Sequence, residues 1–240
     1  MADLVYRTVM HDVKEKIKAN AYPSMKLPDE RTLAQQYQVS RSSLKKALAL
    51  LAEQGIIFKK RGSGTFINPL YLKNQSLFKY EGSNLGITDS FHVPGKKQSI
   101  KPLDYQVVTP DEDLRQDLFL EEGSFVYQIK RLRLLDGKPF LLETGFIPIK
   151  ILPELKPQVL QGSLFNYLQD AWGKSVTRSY LTITVSPSTA DDQKMLELTP
   201  TEPVGVMSGI FFLDDGTPFE VSNMRVHYKY MKYNTFVDLH

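Results

Sequence analysis

The stretch Leu27–Ile67, LPDERTLAQQYQVSRSSLKKALALLAEQGIIFKKRGSGTFI, constrains the fold more than any other. Asp29 is a capping residue followed by Glu30, which suits the positive end of a helix. A short helix follows, with Leu33, Ala34 and Tyr37 inward, and it stops near Gln38-Val39. Ser40 caps a third helix whose inward set is Leu44, Ala47, Leu48 and Leu51. Its complementary face carries Arg41, Ser42, Lys45 and Ala49, with Lys46 at the margin. Two helices joined by three or four residues make a helix-turn-helix. Gly55 supplies a left-handed stop. Ile56–Arg61 and Thr65–Ile67 then flank Gly62-Ser63-Gly64 as a hairpin, the wing of a winged helix-turn-helix. Upstream, Tyr6, Val9, Met10, Val13 and Ile17 recur at helical spacing and predict a first helix over residues 3–20.

A helix N-terminus beside a basic hairpin suits a polyanion with grooves. Arg41 can fork onto guanine O6 and N7. Ser40, Ser42 and the helix-start amides can hold phosphate. Charge is partitioned accordingly. Residues 1–70 hold twelve Lys and Arg against six Asp and Glu, about +6. The whole chain carries +3, so the remainder is mildly acidic. That balance fits nucleic-acid binding confined to one end. On charge alone, a solvated basic helix face fits equally well.

The connector, Asn68–Asn84, mixes turn residues with Leu70, Leu72, Leu77 and Phe78, too apolar for a free tether. A strand docked on one domain is expected within it. Beyond it, short strands and helices alternate. The pattern predicts a helix at Asp113–Phe119 and a strand at Phe125–Leu134 that turns at Asp136-Gly137 and returns over Phe140–Phe146. A helix from Ser163 ends at Gly173, and Val176–Val185 is β-branched. Another helix covers Thr189–Leu198, and Val204–Leu213 and Phe219–Tyr228 flank Asp215-Gly216. The segments DGKPFLLE and DGTPFEVS make the two hairpins a pseudo-repeat. Antiparallel hairpins with interspersed helices mean α+β. Arg131 and Arg133, two apart on a strand, share a face, and Glu143 lies on the returning strand. Arginine pairs of this kind bind phosphate or carboxylate. Ser163 opens a helix, a ready anion site. From periodicity alone, Arg-Leu-Arg beside a Glu is most often a solvated cross-strand ion pair.

The order LP-x-ER-x-LA-x-x-Y-x-VSR-x-S, then G-I-I and G-x-GTF-I, resembles the DNA-binding head of the GntR family of bacterial transcription regulators over residues 5–67. The resemblance implies DNA contacts at Arg31, Ser40, Arg41, Ser42, Lys45, Arg61 and Gly62. The family usually has Val-Arg where this chain has Leu44-Lys45, and a glycine where it has Gln38. Residues 131–133 (Arg-Leu-Arg), DG-x-P at 136–139, Glu143, GSLFNYL at 162–168 and DG-x-PFE at 215–220 resemble the UTRA domain of the HutC subfamily. That resemblance implies a chorismate-lyase-like antiparallel sheet, a homodimer, and an effector cavity using Ser90, Arg131, Arg133, Glu143, Ser163, Phe165, Arg178 and Glu220. The ending His227-Tyr228-Lys229-Tyr230 departs from the common UTRA pattern.

The expected organisation is therefore α+β: a winged helix-turn-helix over residues 1–68, a linker over 69–84, and an effector-binding and dimerisation domain over 85–240. The expected function is a ligand-responsive regulator acting on a palindromic double-stranded operator. It is expected to be a repressor of a metabolic, carbohydrate-related operon, released by a small anionic metabolite such as a phosphorylated sugar. An organic acid or an amino-acid-derived ligand, or an activator, are the alternatives within the same family. An enzyme is disfavoured, because His11, His92, His227 and His240 are scattered and no triad or metal-ligand spacing occurs. A non-specific DNA binder is disfavoured by the large second half with its clustered arginines. No cofactor and no metal are expected. There is no cysteine, no leader-like N-terminus and no apolar run approaching 18 residues, so a cytoplasmic protein without a membrane partner is expected.

Overall fold

A computed structural model of the chain describes residues 2–73 and 95–233, with residues 2–4 described by backbone alone. Two compact units divide it, one within Met1–Gln75 and one within Ser76–Tyr233.

In the first unit, helices Ala2–Lys18 (α1), Glu30–Tyr37 (α2) and Arg41–Glu53 (α3) precede the hairpin of Ile57–Lys60 (β1) and Gly64–Ile67 (β2). Val9, Val13 and Ile17 bury against Leu33, Leu44, Leu48 and Leu51, with Ile57 beneath them. Burying each such side chain contributes about 1.5–3 kcal/mol, so the core rests on the helical spacing of these residues. Asp29 caps α2 through Thr32 N (2.9 Å), and Ser40 caps α3 through Ser43 N (3.1 Å). A polar tie joins α1 to α2: the Tyr37 hydroxyl donates to Asp12 (2.5 Å), and Lys16 reaches both. The hairpin gains a third backbone segment. Leu27 N–H donates to Thr65 O (2.9 Å) and Ile67 N–H to Met25 O (2.8 Å).

Gln38, between α2 and α3, stands at φ 53 and ψ 41, the left-handed region that glycine occupies without strain. Gln38→Gly is expected to stabilise the first unit by about 0.5–1 kcal/mol. Urea denaturation checks this, and an unchanged or lower midpoint would show that the Gln38 side chain offsets its backbone.

Pro69–Lys73 (α4) opens the predicted connector as a short helix, not as a strand. The rest of that connector, and Ser90, lie outside the described residues.

The second unit is a six-stranded antiparallel sheet. Its strands are Gln98–Val108 (β3), Val126–Leu135 (β4), Lys138–Pro148 (β5), Val176–Pro187 (β6), Pro203–Leu213 (β7) and Pro218–His227 (β8). Their order is β3-β4-β5-β8-β7-β6. Helix Glu112–Asp117 (α5) lies between β3 and β4 in sequence, Leu164–Trp172 (α6) precedes β6, and Ala190–Leu196 (α7) lies between β6 and β7. The pseudo-repeat is thus larger than two hairpins. β3-α5-β4-β5 and β6-α7-β7-β8 are two strand-helix-strand-strand units whose last strands, β5 and β8, meet at the centre of the sheet.

The two Asp-Gly turns differ. Asp136 (φ 49) and Gly137 (φ 78) make a two-residue turn with positive φ at both positions. At the second hairpin only Gly216 is left-handed, and the loop is one residue longer, closed by Leu213 N–H to Thr217 O (2.9 Å).

One face of the sheet buries Tyr127, Ile129, Leu141, Ile147, Met207 and Phe211 beneath α6, through Leu164, Phe165 and Leu168. The other buries Leu132, Leu142, Val204 and Val206 against Leu196 and Leu198 at the end of α7. Alternation along β4 puts Arg131 and Arg133 on the same face as Tyr127 and Ile129, so two guanidinium groups point into an apolar layer.

Candidate nucleic-acid interface and ligand cavity

The exposed face of α3 carries Arg41, Ser42 and Lys45, all turned to solvent. Beneath them Leu44, Ala47, Leu48 and Leu51 are buried, so the helix has no freedom to turn another face outward. The Ser40 hydroxyl is shared among Ser43 N, Ser42 Oγ (2.9 Å) and Ser43 Oγ (2.9 Å), which fixes the helix start. Lys46 folds back over the Tyr6 ring, 4.1 Å from its centroid, and stands apart from that row as a packing residue.

The hairpin presents Arg61 and Gly62 at its tip, with Gly62 at φ 71. Between the hairpin and the start of α2 lies an open groove of about 630 Å³, lined by Lys26, Asp29, Glu30, Lys59, Lys60 and Arg61 among others. Lys59 is held by Glu30 (2.8 Å) across this groove, so it is spent locally. Arg31 is exposed and makes no ion pair among the described residues, Glu53 included. Lys26 was not foreseen. Its ammonium lies over the Phe66 ring, and its stem passes beside Gly64, where an added Cβ would meet it at 3.0 Å. Its distance in sequence from the hairpin hides this, and only the bridge from Lys26 to Phe66 reveals it.

In the second unit, Arg131, Arg133, Glu143, Ser163, Phe165 and Glu220 converge on one cavity, completed by Leu164, Phe211, Ser222 and Met224. Strand register explains the convergence. Arg131 stands directly opposite Glu143 on β5, Glu143 opposite Met224 on β8, and Phe211 opposite Glu220. The Glu143 carboxylate is divided between the two arginines. One oxygen meets Arg131 Nη2, and the other accepts from Arg133 Nε at 2.6 Å. Arg131 Nη1 also donates to Gly162 O (3.1 Å), just ahead of the Ser163 cap. Arg131 Nε is buried with no hydrogen-bond partner. All three residues are buried, so the solvated surface pair is ruled out. Burial pulls the Arg131 pKa down, opposed by Glu143. Burial alone would raise Glu143, but Arg131 and Arg133 outweigh it and hold the carboxyl below its usual range.

Glu220 behaves oppositely. Burial and the neighbouring Glu143 charge push it up to about 8, against the pull of the arginines. It lies over Gly145, where an added Cβ would sit 2.3 Å from Glu220 Oε1. Gly145 is therefore part of the site although sequence reasoning passed over it. An isolated glycine inside a strand, signalling close approach, was the available clue. A carboxyl with a raised native pKa holds its proton more tightly when folded. Its effect on stability is absent at acid pH and grows unfavourable as pH rises from about 4.5 towards 8. Glu220→Gln is expected to flatten the decline of stability over that window and to gain several kcal/mol at pH 8.5. Denaturant titrations at pH 5, 7 and 8.5 check this, and parallel curves for both proteins would refute the buried, protonated carboxyl.

One expected residue is not brought to this cavity. Arg178 is exposed on β6, with its guanidinium beside the Gly216 turn. Its position directly after the bulge between Val176 and Arg178, at the start of an edge strand, turns it to solvent. Ser90 lies outside the described residues. Phe165 is both lining and core, packed edge-on against Phe211 (5.2 Å) and Phe219 (5.5 Å). Among the described residues, no group of three His, Asp or Glu is placed to hold a metal, and no helix is long and apolar enough to cross a membrane.

A winged helix-turn-helix with an exposed polar recognition face, joined to a sheet domain with a buried arginine cavity, defines a DNA-binding regulator that responds to a small molecule. The chain belongs to the GntR family of bacterial regulatory proteins: residues 5–67 match that family, and residues 94–232 match the UTRA domain. It is 30% identical over 221 residues to the HTH-type transcriptional regulator GmuR of Bacillus subtilis (strain 168), covering 92% of each chain. It is 27% identical to the mannosyl-D-glycerate transport/metabolism system repressor MngR of Escherichia coli (strain K12), over 91% of this chain and 89% of that one. The crystal structure of the possible transcriptional regulator YydK from Bacillus subtilis shares the fold, with a TM-score of 0.82 at 24% identity, covering 97% and 100% of the two chains. Family and relatives are transcription regulators, not enzymes.

Proposed function

We propose that this regulator is a cytoplasmic repressor of a sugar-related operon, binding a two-fold operator as a homodimer and leaving it when an anionic metabolite, such as a phosphorylated sugar, enters the cavity. One observation carries the ligand class: Arg131 Nε is buried, charged and without an acceptor, at a cavity that also meets the start of α6. A guanidinium with a spare donor beside helix-start amides favours phosphate or carboxylate. Glu220, protonated near neutral pH, adds a donor suited to a sugar hydroxyl. The mannosyl-D-glycerate repressor supports a sugar-derived ligand by its name.

On the DNA side, Arg41 reads bases. Arg31, Ser40, Ser42, Lys45, Arg61 and Gly62 hold phosphates and fix the register. The cavity measures about 20 Å³, room for about one water. Ligand entry therefore requires α6 and its Ser163 cap to part from the sheet. That parting is the conformational difference a ligand can select, and through it the DNA-binding equilibrium shifts by the ligand's differential affinity.

The test is a thermal-shift screen of hexose phosphates, amino-sugar phosphates, sugar acids and inorganic phosphate, followed by operator release. A true effector raises Tm progressively with concentration and releases operator, and Arg133→Ala abolishes both responses while sparing DNA binding. Normal release of Arg133→Ala would place the effector elsewhere, and an effector without an anionic group would sink the ligand class.

A further inference from the structure

Lys26 has a fixed place beside the hairpin and, among the described residues, no carboxylate to answer its charge. Its backbone is tied on both sides, by Leu27 N–H to Thr65 O and Ile67 N–H to Met25 O. Register then sets Lys26 opposite Phe66, and Phe66 opposite Phe58. Residues directly opposite share a face, so these three side chains form one row. The two rings stack with centroids 5.9 Å apart, and Lys26 Nζ stands 5.7 Å from the Phe66 centroid. That is a cation–π distance. Gly64 makes room for the lysine stem: its φ of 111 suits glycine, and a Cβ there would meet Lys26 Cε at 3.0 Å.

Its neighbours give this placement a use. Gly64 pairs with Lys60 as the last rung of the hairpin, just short of the Arg61-Gly62 tip. Lys59 is held by Glu30, whereas Lys26, Lys60 and Arg61 make no ion pair among the described residues. The Phe66 ring seats the Lys26 ammonium without neutralising it, so its N–H donors stay available to an acceptor. A lysine already seated has less rotamer freedom to lose on binding. As a compact point charge it matches phosphate better than base edges.

We propose that Lys26 is a further DNA contact of this head, its ammonium binding a phosphate of the duplex beside the place where the hairpin tip meets it. The proposal deepens, and rests on, the reading of Arg61 and Gly62 as DNA contacts. A hairpin that sets its tip against a duplex brings the segment flanking its last rung against a backbone strand. Lys26 then adds affinity without choosing the sequence, and Gly64 is required as much for the lysine stem as for its own backbone.

Lys26→Met, Lys26→Arg and Arg61→Gln in the full chain test this, on a duplex that the parent protein selects from a random pool. Methionine keeps an unbranched stem over Phe66 and removes only the charge. Titrations between about 50 and 200 mM salt are expected to show the log-affinity slope of Lys26→Met smaller by about 0.9 for each head bound. Its preferred sequence stays the same, and Lys26→Arg restores the parent slope. If Arg61→Gln lowers the slope and Lys26→Met does not, Lys26 is overturned and the hairpin reading stands. If neither lowers it, the hairpin stays off the duplex and both fall. Should Lys26→Met lose its native circular dichroism spectrum, acylation of the parent protein decides. Protection of Lys26 by the selected duplex, with Lys101 of the second unit reacting as before, supports the contact. Equal acylation of Lys26 with and without the duplex overturns it.

Discussion

Glu143→Ala is expected to destabilise the second unit by about 3–5 kcal/mol, the cost of stranding buried charge. The variant leaves Arg131 and Arg133, both buried, without the carboxylate that each now uses. Against a total stability of about 5–15 kcal/mol, that is enough to unfold a substantial fraction of the protein near its working temperature. Glu220 softens the loss. Freed from the repulsion of Glu143, it is expected to ionise at lower pH and take up one guanidinium, so the alanine variant should lose the alkaline instability that Glu220 imposes. Replacing the triad together, as Arg131→Met, Glu143→Leu and Arg133→Met, removes all three buried charges. It is expected to be near neutral or stabilising while abolishing ligand response. Denaturant midpoints for the single and triple variants check the pair of claims. A single variant within about 1 kcal/mol of the parent would mean that water reaches the arginines. A triple variant that still releases operator would remove the cavity from the mechanism.

The buried triad also marks what was legible in the sequence. Two arginines at i and i+2 on a strand share a face, and a carboxylate on the returning strand is their natural partner. Alternation and a two-residue turn predict that much, and the register delivers it. The sequence did not show which face was meant. Charge argues for solvent, and only the apolar residues continuing the same row, Tyr127 and Ile129, place the pair inside. Helix boundaries were legible wherever a cap wrote them: Asp29, Ser40, Ser163 and Thr189 all cap as their side chains dictate. Gln38 kept a left-handed turn without the residue that usually signals one.

The longest miss is β3. Its Gln-Ser-Ile-Lys-Pro-Leu-Asp run has no clean alternation, because an edge strand exposed on much of both faces needs none, and its proline is tolerated there. Missing β3 also hid the full extent of the internal repeat. Arg178 lies away from the cavity for a related reason. A family pattern carries residue types along the chain, while the bulge ahead of it decides which way that side chain turns.

Arg41→Ala is expected to weaken binding to the cognate operator by roughly 30- to 10,000-fold. The arginine stands exposed at the first turn of α3, where a recognition helix meets base edges. Losing a bidentate guanine contact costs about 1–3 kcal/mol at each half-site, and a two-fold site loses it twice. The fold should not suffer, because Arg41 is solvent-exposed and α3 is held by its buried leucines and the Ser40 cap. Lys45→Ala is the contrasting case. Lysine lacks the planar fork and holds phosphate as a point charge, so its loss should lower affinity evenly across sequences and reduce the salt slope by about one per half-site. Sites selected from a random duplex pool, titrated by fluorescence anisotropy at several salt concentrations, separate the two roles. Arg41→Ala should relax discrimination at one base position per half-site, and Lys45→Ala should leave the preferred sequence intact. If the Arg41 variant selects the same sequence as the parent with the same ratio over random DNA, specificity comes from the hairpin, and Arg61 at its tip becomes the residue to replace.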